Sequence, residues 1–356
     1  MTAAINPTVH RTLQRGIVIP AHPLALTRRR EFDLRRQRAL SRYYIASGAG
    51  GLAVGVHTTQ FAIRSPEYAL YEPVLALAAE EMDRGDAGRP EPLVRIAGVC
   101  GPTAEAVGEA ETARRLGYHA VLLNVGALAD ADEEAVVDHC RVVAETMPLF
   151  GFYLSPGVGG RPLGYSFWRR FAEIENVVAI KIACFNRYQT IDVVRAIAES
   201  GRDDVALYTG NDDNIVMDLL TPYCFETDGR RVTRRFVGGL LGHWSVWTSK
   251  AVETLQRCHD AVASGEPVPV ELLQLATEVT DCNAAVFDAA NGFAGVIGGV
   301  HEILRRMGLL EGIWCLDPNE SLSPGQAEQL DRVCRAYPHL TDERFVAEHL
   351  DEWLDG

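Results

Sequence analysis

Several features that mark particular protein classes are missing from the sequence. No uninterrupted apolar run reaches the roughly 18 residues that a membrane span needs. The first residues, MTAAINPTVHRTLQRG, contain no apolar stretch of the signal-peptide type. Positive charge is scarce, since 34 basic residues stand against 48 acidic ones and the formal net charge is −14. We therefore expect no membrane partner, and a chain this acidic is a poor candidate for binding nucleic acid.

Motifs for metals, nucleotides and serine nucleophiles are also missing. The eight cysteines are scattered and form no C-x-x-C pair, and the ten histidines form no H-E-x-x-H motif. There is no P-loop and no G-x-S-x-G elbow. The glycines of GAGGLA (48–53) follow a helical segment and precede a strand, the reverse of the order that dinucleotide binding requires. We expect reduced thiols in a cytoplasmic protein, with no metal and no cofactor.

Short apolar runs recur through the first 245 residues, mostly about 27 to 34 residues apart, which suits a strand followed by a crossover helix. They are nearly continuous in apolar residues, as strands buried on both faces of a parallel sheet are. The intervening segments show helical spacing, including 33–47, 103–117 with Thr103 as its cap, and 132–147. The eight runs lie at 16–21, 50–56, 93–99, 120–125, 149–154, 177–182, 205–210 and 236–242.

Eight strand–helix units in succession predict an α/β fold of the (β/α)₈ TIM-barrel type, with a doubly wound open sheet as the alternative. Residues 230–237 indicate an irregular or hairpin insertion before the last strand. After about residue 245 only helical patterns follow. We therefore predict a barrel domain over 1–250 that carries the active site, and a C-terminal helical domain over 251–356. The helical tail needs a surface to cover, either the same subunit's barrel or a neighbouring subunit.

Lys181 is unusual because it interrupts the apolar strand VVAIKI (177–182), and an unpartnered buried ammonium is costly. Strand alternation puts Val177, Ala179 and Lys181 on one face. The lysine lies near the C-terminal end of the sixth strand, where barrel enzymes place their sites. Burial there would favour the neutral amine, which can attack a carbonyl. The alternative is a lysine that reaches the rim or pairs with a carboxylate.

Tyr153 closes the fifth strand and would neighbour Lys181 on the adjacent strand. A phenol beside an amine can relay protons during imine formation and hydrolysis. The alternative role is packing, with the hydroxyl bonded to the backbone.

Together these residues carry a resemblance to the dihydrodipicolinate synthase / N-acetylneuraminate lyase family of class I aldolases. Tyr153 opens a segment similar to the family's Y-x-x-P-G-x-x-G, and Lys181 follows 28 residues later in NVVAIKIACFN. Three further segments match family patterns, and the helical tail fits the family's C-terminal domain. These segments are GIVIPA at 16–21, GVHTTQFAIRSPE at 55–67 and TGND at 209–212.

The resemblance implies a barrel, a Schiff base on Lys181, proton transfer by Tyr153, a 2-oxo acid substrate such as pyruvate, and a homo-oligomer, commonly a tetramer. It also implies that Gly210, in TGND, contributes to substrate binding. The sequence departs from the family at the threonine pair that binds the substrate carboxylate, where Val56 and His57 stand. An arginine of the lysine-pathway enzymes is replaced by Val158.

We therefore predict a Schiff-base lyase, aldolase or dehydratase that is not dihydrodipicolinate synthase itself. A barrel retained for small-molecule binding or regulation is the main alternative, and a metal-dependent aldolase is a third. We expect His57 with Thr58 to hold the substrate carboxylate, and Thr59 to offer a further hydroxyl. The opposing expectation is that His57 packs against a neighbouring subunit or faces solvent.

Overall fold

Eight parallel strands curl into a barrel in the computed structural model, which describes residues 4–356. Consecutive strands pair with each other, and the last strand lies between β7 and β1. The ring closes between β1 and β2 at a single bridge from Ala21 to Ala53. The prediction of a (β/α)₈ barrel is confirmed, and the doubly wound alternative is wrong. The strands of the barrel are β1 Val18–Pro20, β2 Gly51–Val54, β3 Val94–Val99, β4 Ala120–Leu123, β5 Leu149–Leu154, β6 Val177–Ala183, β7 Ala206–Thr209 and β10 Phe236–Leu241. The numbers β8 and β9 belong to a separate hairpin that precedes β10.

Helices connect the strands, as crossovers between parallel strands require. The three predicted internal helices are present, but Pro102 takes the cap position and Thr103 is the first helical residue. The Thr103 hydroxyl instead bonds Nδ1 of His139 at 2.9 Å. The helices are α1 Pro7–Arg15, α2 Leu34–Ala46, α3 Tyr71–Asp86, α4 Thr103–Arg115, α5 Glu133–Thr146, α6 Tyr165–Ala172, α7 Arg187–Ser200, α8 Ile215–Leu220, α9 Thr248–Ser264, α10 Val270–Val286, α11 Val296–Arg306, α12 Gln326–Ala336 and α13 Glu343–Asp355.

The predicted insertion is an antiparallel hairpin of β8 Tyr223–Thr227 and β9 Arg230–Arg234. Its two-residue turn, Asp228 and Gly229, has positive φ at both positions, the conformation that asparagine, aspartate and glycine tolerate best in tight hairpins. The hairpin leaves the parallel order of the barrel intact, because β10, which follows it, pairs in parallel with both β7 and β1.

Buried side chains form one core inside the ring and a larger one between strands and helices. In β6, Ala179 and Ala183 belong to the inner core, whereas Val177 packs in the outer core. The prediction that Val177 shares a face with Lys181 is therefore wrong. The pairing of β5 with β6 shifts by one residue near Leu149, so that strict alternation fails at this end of the strand.

The C-terminal helices cover the barrel of the same chain. The Tyr43 hydroxyl on α2 donates to Oδ2 of Asp342 at 2.8 Å, and the backbone N–H of Ser249 donates to the same oxygen at 2.9 Å. Arg42 donates to the Trp353 carbonyl at 2.7 Å. One of the two surfaces expected for the tail is therefore the chain's own barrel. Over residues 4–356, no helix has the length and apolar character needed to cross a membrane.

Candidate active site

A cavity of about 550 Å³, partly open to solvent, lies at the C-terminal ends of the barrel strands. This is the end at which barrel folds assemble their sites, because the loops after the strands meet there. Loops that follow the strands line most of it, and the segment between α10 and α11 adds to them from the C-terminal part of the chain. The lining residues are Ala21, Val56, His57, Thr58, Phe152, Leu154, Val158, Lys181, Ala183, Phe185, Asp212, Gly242, Phe287, Phe293 and Val296.

Lys181 lies in this cavity with only 7% of its surface exposed. Its Nζ is 4.6 Å from the centroid of the Phe152 ring. Among residues 4–356, no side chain forms a hydrogen bond or a close ion pair with Nζ. Burial lowers the pKa of the Lys181 amine below its usual value, and the negative charge of Asp212 opposes that shift. The amine is thus held ready to lose its proton and act as a nucleophile.

Asp212 is the second ionisable group of the cavity. It follows β7 and is 4% exposed, and Oδ1 accepts the backbone N–H of His243 at 2.8 Å. Burial raises the pKa of its carboxyl, whereas the charge of Lys181 acts in the opposite direction. Asp212 and Lys181 are therefore two buried ionisable groups of one cavity, and each affects the pKa of the other through its charge. We did not single out Asp212 from the sequence, although it is the last residue of the TGND segment.

Gly210 makes room for the lysine rather than facing the cavity as a ligand. A Cβ at this position would lie 2.6 Å from Cε and 2.9 Å from Cγ of Lys181. The backbone N–H of Gly210 donates to the Ile182 carbonyl at 2.7 Å, which fixes the end of β7 against β6. The space beside the Lys181 stem therefore depends on the missing side chain.

Tyr153 does not reach Lys181. Its phenol lies in the outer core against the Trp168 ring, with centroids 5.6 Å apart, and its hydroxyl accepts the backbone N–H of Leu163 at 3.2 Å. The residue of β5 that pairs with Lys181 is Phe152, whereas Tyr153 pairs with Ile182. Because neighbouring residues of a strand point to opposite faces, Tyr153 points away from the amine. The predicted juxtaposition of phenol and amine is absent from the structure.

The turn after β2 brings His57 and Thr58 to the cavity but leaves Thr59 outside it. The Thr58 hydroxyl donates to the Ala21 carbonyl at 2.8 Å. The Thr59 hydroxyl donates to the His22 carbonyl at 2.6 Å and accepts two backbone N–H groups of the turn. Both hydroxyl protons are therefore engaged within the protein. Burial, and then the charge of Lys181, lower the pKa of His57 to about 4, so its imidazole is neutral at pH 7.

A buried carboxylate organises the loops after β6 and β7. Asp218 accepts hydrogen bonds from the Thr209 hydroxyl at 2.8 Å and from Nδ2 of Asn211 at 2.9 Å, and it pairs with Arg187. Oδ1 of Asn211 in turn accepts the backbone N–H of Phe185 at 3.0 Å. This network holds Phe185 at the cavity wall. Over the described residues 4–356, no cluster of three or more metal-ligating side chains occurs.

Comparisons with known proteins agree with this architecture. The model of the dihydrodipicolinate synthetase family matches residues 15–222. A 4-hydroxy-tetrahydrodipicolinate synthase of Acaryochloris marina is 32% identical over 179 residues, which are 50% of this chain and 52% of that enzyme. The chain thus spans about half the length of the curated relatives it matches.

Two solved structures illustrate the shared fold. The chloride-inhibited dihydrodipicolinate synthase of Acinetobacter baumannii, complexed with pyruvate, is 21% identical with a TM-score of 0.70. The alignment covers 90% of this chain and 98% of that one. CdNal of Clostridium difficile, in complex with mannosamine, is 15% identical with a TM-score of 0.70, over 90% of this chain and 99% of that one.

Proposed function

The chain belongs to the dihydrodipicolinate synthetase family, and from this premise we propose that it is a Schiff-base-forming lyase acting on a 2-oxo acid. The observation that carries the proposal is the Lys181 amine, buried at the catalytic end of the barrel without a bonded partner. Its lowered pKa supplies the neutral nucleophile that attack on a carbonyl requires.

In the proposed reaction, the Lys181 amine adds to the 2-oxo carbon, and loss of water from the adduct leaves an imine. Asp212 is the neighbouring group that exchanges protons. Its raised pKa lets it donate a proton to the departing hydroxyl and take one back later. This role replaces the one that we expected of Tyr153.

For a 4-hydroxy-2-oxo acid, cleavage follows from the same two groups. The Asp212 carboxylate removes the proton of the 4-hydroxyl, the bond between C3 and C4 breaks to give an aldehyde, and the electron pair moves to the iminium nitrogen as an enamine. Asp212 then returns the proton to C3, and water hydrolyses the imine to release pyruvate and regenerate the amine. Condensation is the reverse sequence.

We propose that His57 holds the substrate carboxylate. Its imidazole lines the cavity, and no hydroxyl proton of Thr58 or Thr59 is free for this task. Val158 also lines the cavity, so the position of the arginine in the lysine-pathway enzymes carries no cation here. Synthesis of dihydrodipicolinate from aspartate semialdehyde is therefore not the activity that we propose.

A binding or regulatory protein is the second candidate. The outward orientation of Tyr153 and the altered threonine pair favour it, because both remove groups that the family's chemistry would use. The two candidates differ in whether the amine of Lys181 forms an imine at all.

Borohydride trapping decides between them, and the chain is well suited to it. Only two of its 34 basic residues, Lys181 and Lys250, are lysines. Lys250 lies on α9 and pairs with Glu253 at 2.7 Å, so Lys250→Arg is a matched control. With borohydride and a panel of 2-oxo acids, we expect one adduct on the wild-type chain and on Lys250→Arg, and none at that position on Lys181→Met. Absence of an adduct at Lys181 with every acid would favour the binding protein.

We also propose that the protein acts in the cytoplasm. We propose further that it forms a homo-oligomer, and a tetramer is the common form in its family. Static light scattering at micromolar concentration tests the second point, since a strict monomer would contradict it.

A further inference from the structure

We propose that the 2-oxo acid carries an apolar tail of aromatic size and no second carboxylate. This inference rests on the proposed imine chemistry and concerns the half of the cavity beyond the amine. Its basis is the combination of an aromatic wall, an absence of cations in that wall, and an unusual backbone conformation that holds the wall in place.

The wall is built from three separate parts of the chain. Phe152 and Leu154 come from β5, and Phe185 follows β6. Phe287 and Phe293 come from the segment between α10 and α11. The rings of Phe185 and Phe293 lie 5.5 Å apart between centroids, within the range of a favourable aromatic contact. A planar apolar group that enters the cavity would meet aromatic rings contributed by several elements.

The charges of the cavity disfavour a second carboxylate. Lys181 and Asp212 are its charged lining residues, and His57 is neutral at pH 7. The first carboxylate of a 2-oxo acid is attached to the iminium carbon, so the positive charge of the iminium stabilises it. A second carboxylate farther along the substrate would meet phenylalanines and the carboxyl of Asp212 instead. Burying an anion without a partner is strongly unfavourable.

Phe185 and Phe293 are held in backbone conformations that residues other than glycine rarely adopt. Phe185 has φ 52° and Phe293 has φ 70°. The Asn211 side chain holds the first through the Phe185 N–H, and the Asp288 carbonyl accepts the Phe293 N–H at 3.1 Å. Strain of this kind persists where the surroundings enforce it, and it is concentrated at functional sites. The hydrogen bonds at Phe185 and Phe293 thus hold this part of the wall in one conformation.

The test compares trapping rates of three 2-oxo acids under borohydride. 2-Oxopentanoate and 2-oxoglutarate have the same chain length and differ in the second carboxylate, and 4-phenyl-2-oxobutyrate adds the aromatic tail. We expect both monocarboxylates to be trapped on Lys181 at least about tenfold faster than 2-oxoglutarate, with the phenyl compound fastest. Equal or faster trapping of 2-oxoglutarate would overturn the inference and leave the imine chemistry standing.

A charge-introducing variant and a matched control sharpen the result. Phe293→Arg should bring 2-oxoglutarate up toward the monocarboxylates, because it supplies the missing cation. Tyr188→Arg makes a similar change at a residue that is 84% exposed on α7, and it should leave the order unchanged. An unchanged order in Phe293→Arg would count against the charge argument.

If no acid forms an adduct, the proposed function fails and a second measurement decides the inference by itself. 4-Phenylbutyrate and glutarate lack the carbonyl and cannot form an imine. A rise in the unfolding temperature with 4-phenylbutyrate but not with glutarate would support the aromatic wall as a binding surface. No rise with either compound would overturn it.

Discussion

We expect the substitution Gly210→Ala to displace the Lys181 side chain and to slow imine formation. The backbone at Gly210 is in a conformation open to every residue, so only the space around a new Cβ opposes the change. That Cβ would lie 2.6 Å from Cε and 2.9 Å from Cγ of Lys181, and 2.8 Å from Cβ of Ala183. Two of the three contacts therefore involve the lysine stem itself.

The size of the effect follows from these distances. Carbon atoms pack at about 3.5 Å or more, so the lysine carbons must retreat by roughly 0.6–0.9 Å. The hydrogen bond from Gly210 to Ile182 prevents the strand ends from separating to absorb the methyl group. A displacement of about 1 Å at a reacting group costs on the order of 100-fold in rate. Overpacking of this kind also lowers the free energy of unfolding by about 1–3 kcal/mol.

Two assays on the same samples test the prediction, namely the borohydride trapping rate with a 2-oxo acid and urea denaturation. The matched control is Gly108→Ala, in the exposed middle of α4, where a new Cβ meets no atom within 4 Å. That variant should trap at the wild-type rate and gain about 0.5–1 kcal/mol, because alanine is the better helix former. Wild-type trapping and unchanged stability in Gly210→Ala would refute the steric reasoning.

Three further predictions concern single groups. Tyr153→Phe should keep the trapping rate within about twofold and lose about 0.5–1.5 kcal/mol in urea denaturation, because it removes only the bond from Leu163; a hundredfold loss of rate would restore the relay role. His57→Ala should weaken 2-oxo acid binding more than about tenfold in calorimetry, since a hydrogen bond to a charged group contributes about 1.5–3 kcal/mol; unchanged affinity would remove His57 from the carboxylate site. Trapping should rise with pH and level off below 10.5, because burial lowers the pKa of Lys181; a rate still rising above pH 10.5 would contradict this.

The barrel was predictable from the sequence because strands buried on both faces have continuous apolar sequences, which can be recognised locally. Lys181 was recognisable for the same reason, since a charge stands out in such a run. The orientation of Tyr153 was not predictable from its spacing. Without the one-residue shift between β5 and β6 near Leu149, Tyr153 would pair with Lys181, but with it Phe152 takes that place. A shift of this size reverses the face on which a side chain lies.

The other residues of the site differ in how far the sequence alone could identify them. Asp212 could have been found from the TGND segment, because it follows directly after a predicted strand. Phe287 and Phe293 could not have been found in this way. The helical pattern of the C-terminal part does not indicate which surface of the barrel its residues will cover. Their place in the cavity follows from the docking of the C-terminal helices on the barrel. The division of the chain at residue 250 stays a prediction.

The segment between α10 and α11 lies more than 100 residues beyond Lys181 in the chain, yet it supplies Phe287 and Phe293 to the same cavity, and Val296 joins them from the start of α11. It also lies beyond the matched family region, which ends at residue 222. Residues of this segment can therefore be changed without altering the strand that carries the amine. For directed evolution, a library confined to 287–296 would explore new substrates without touching the imine chemistry.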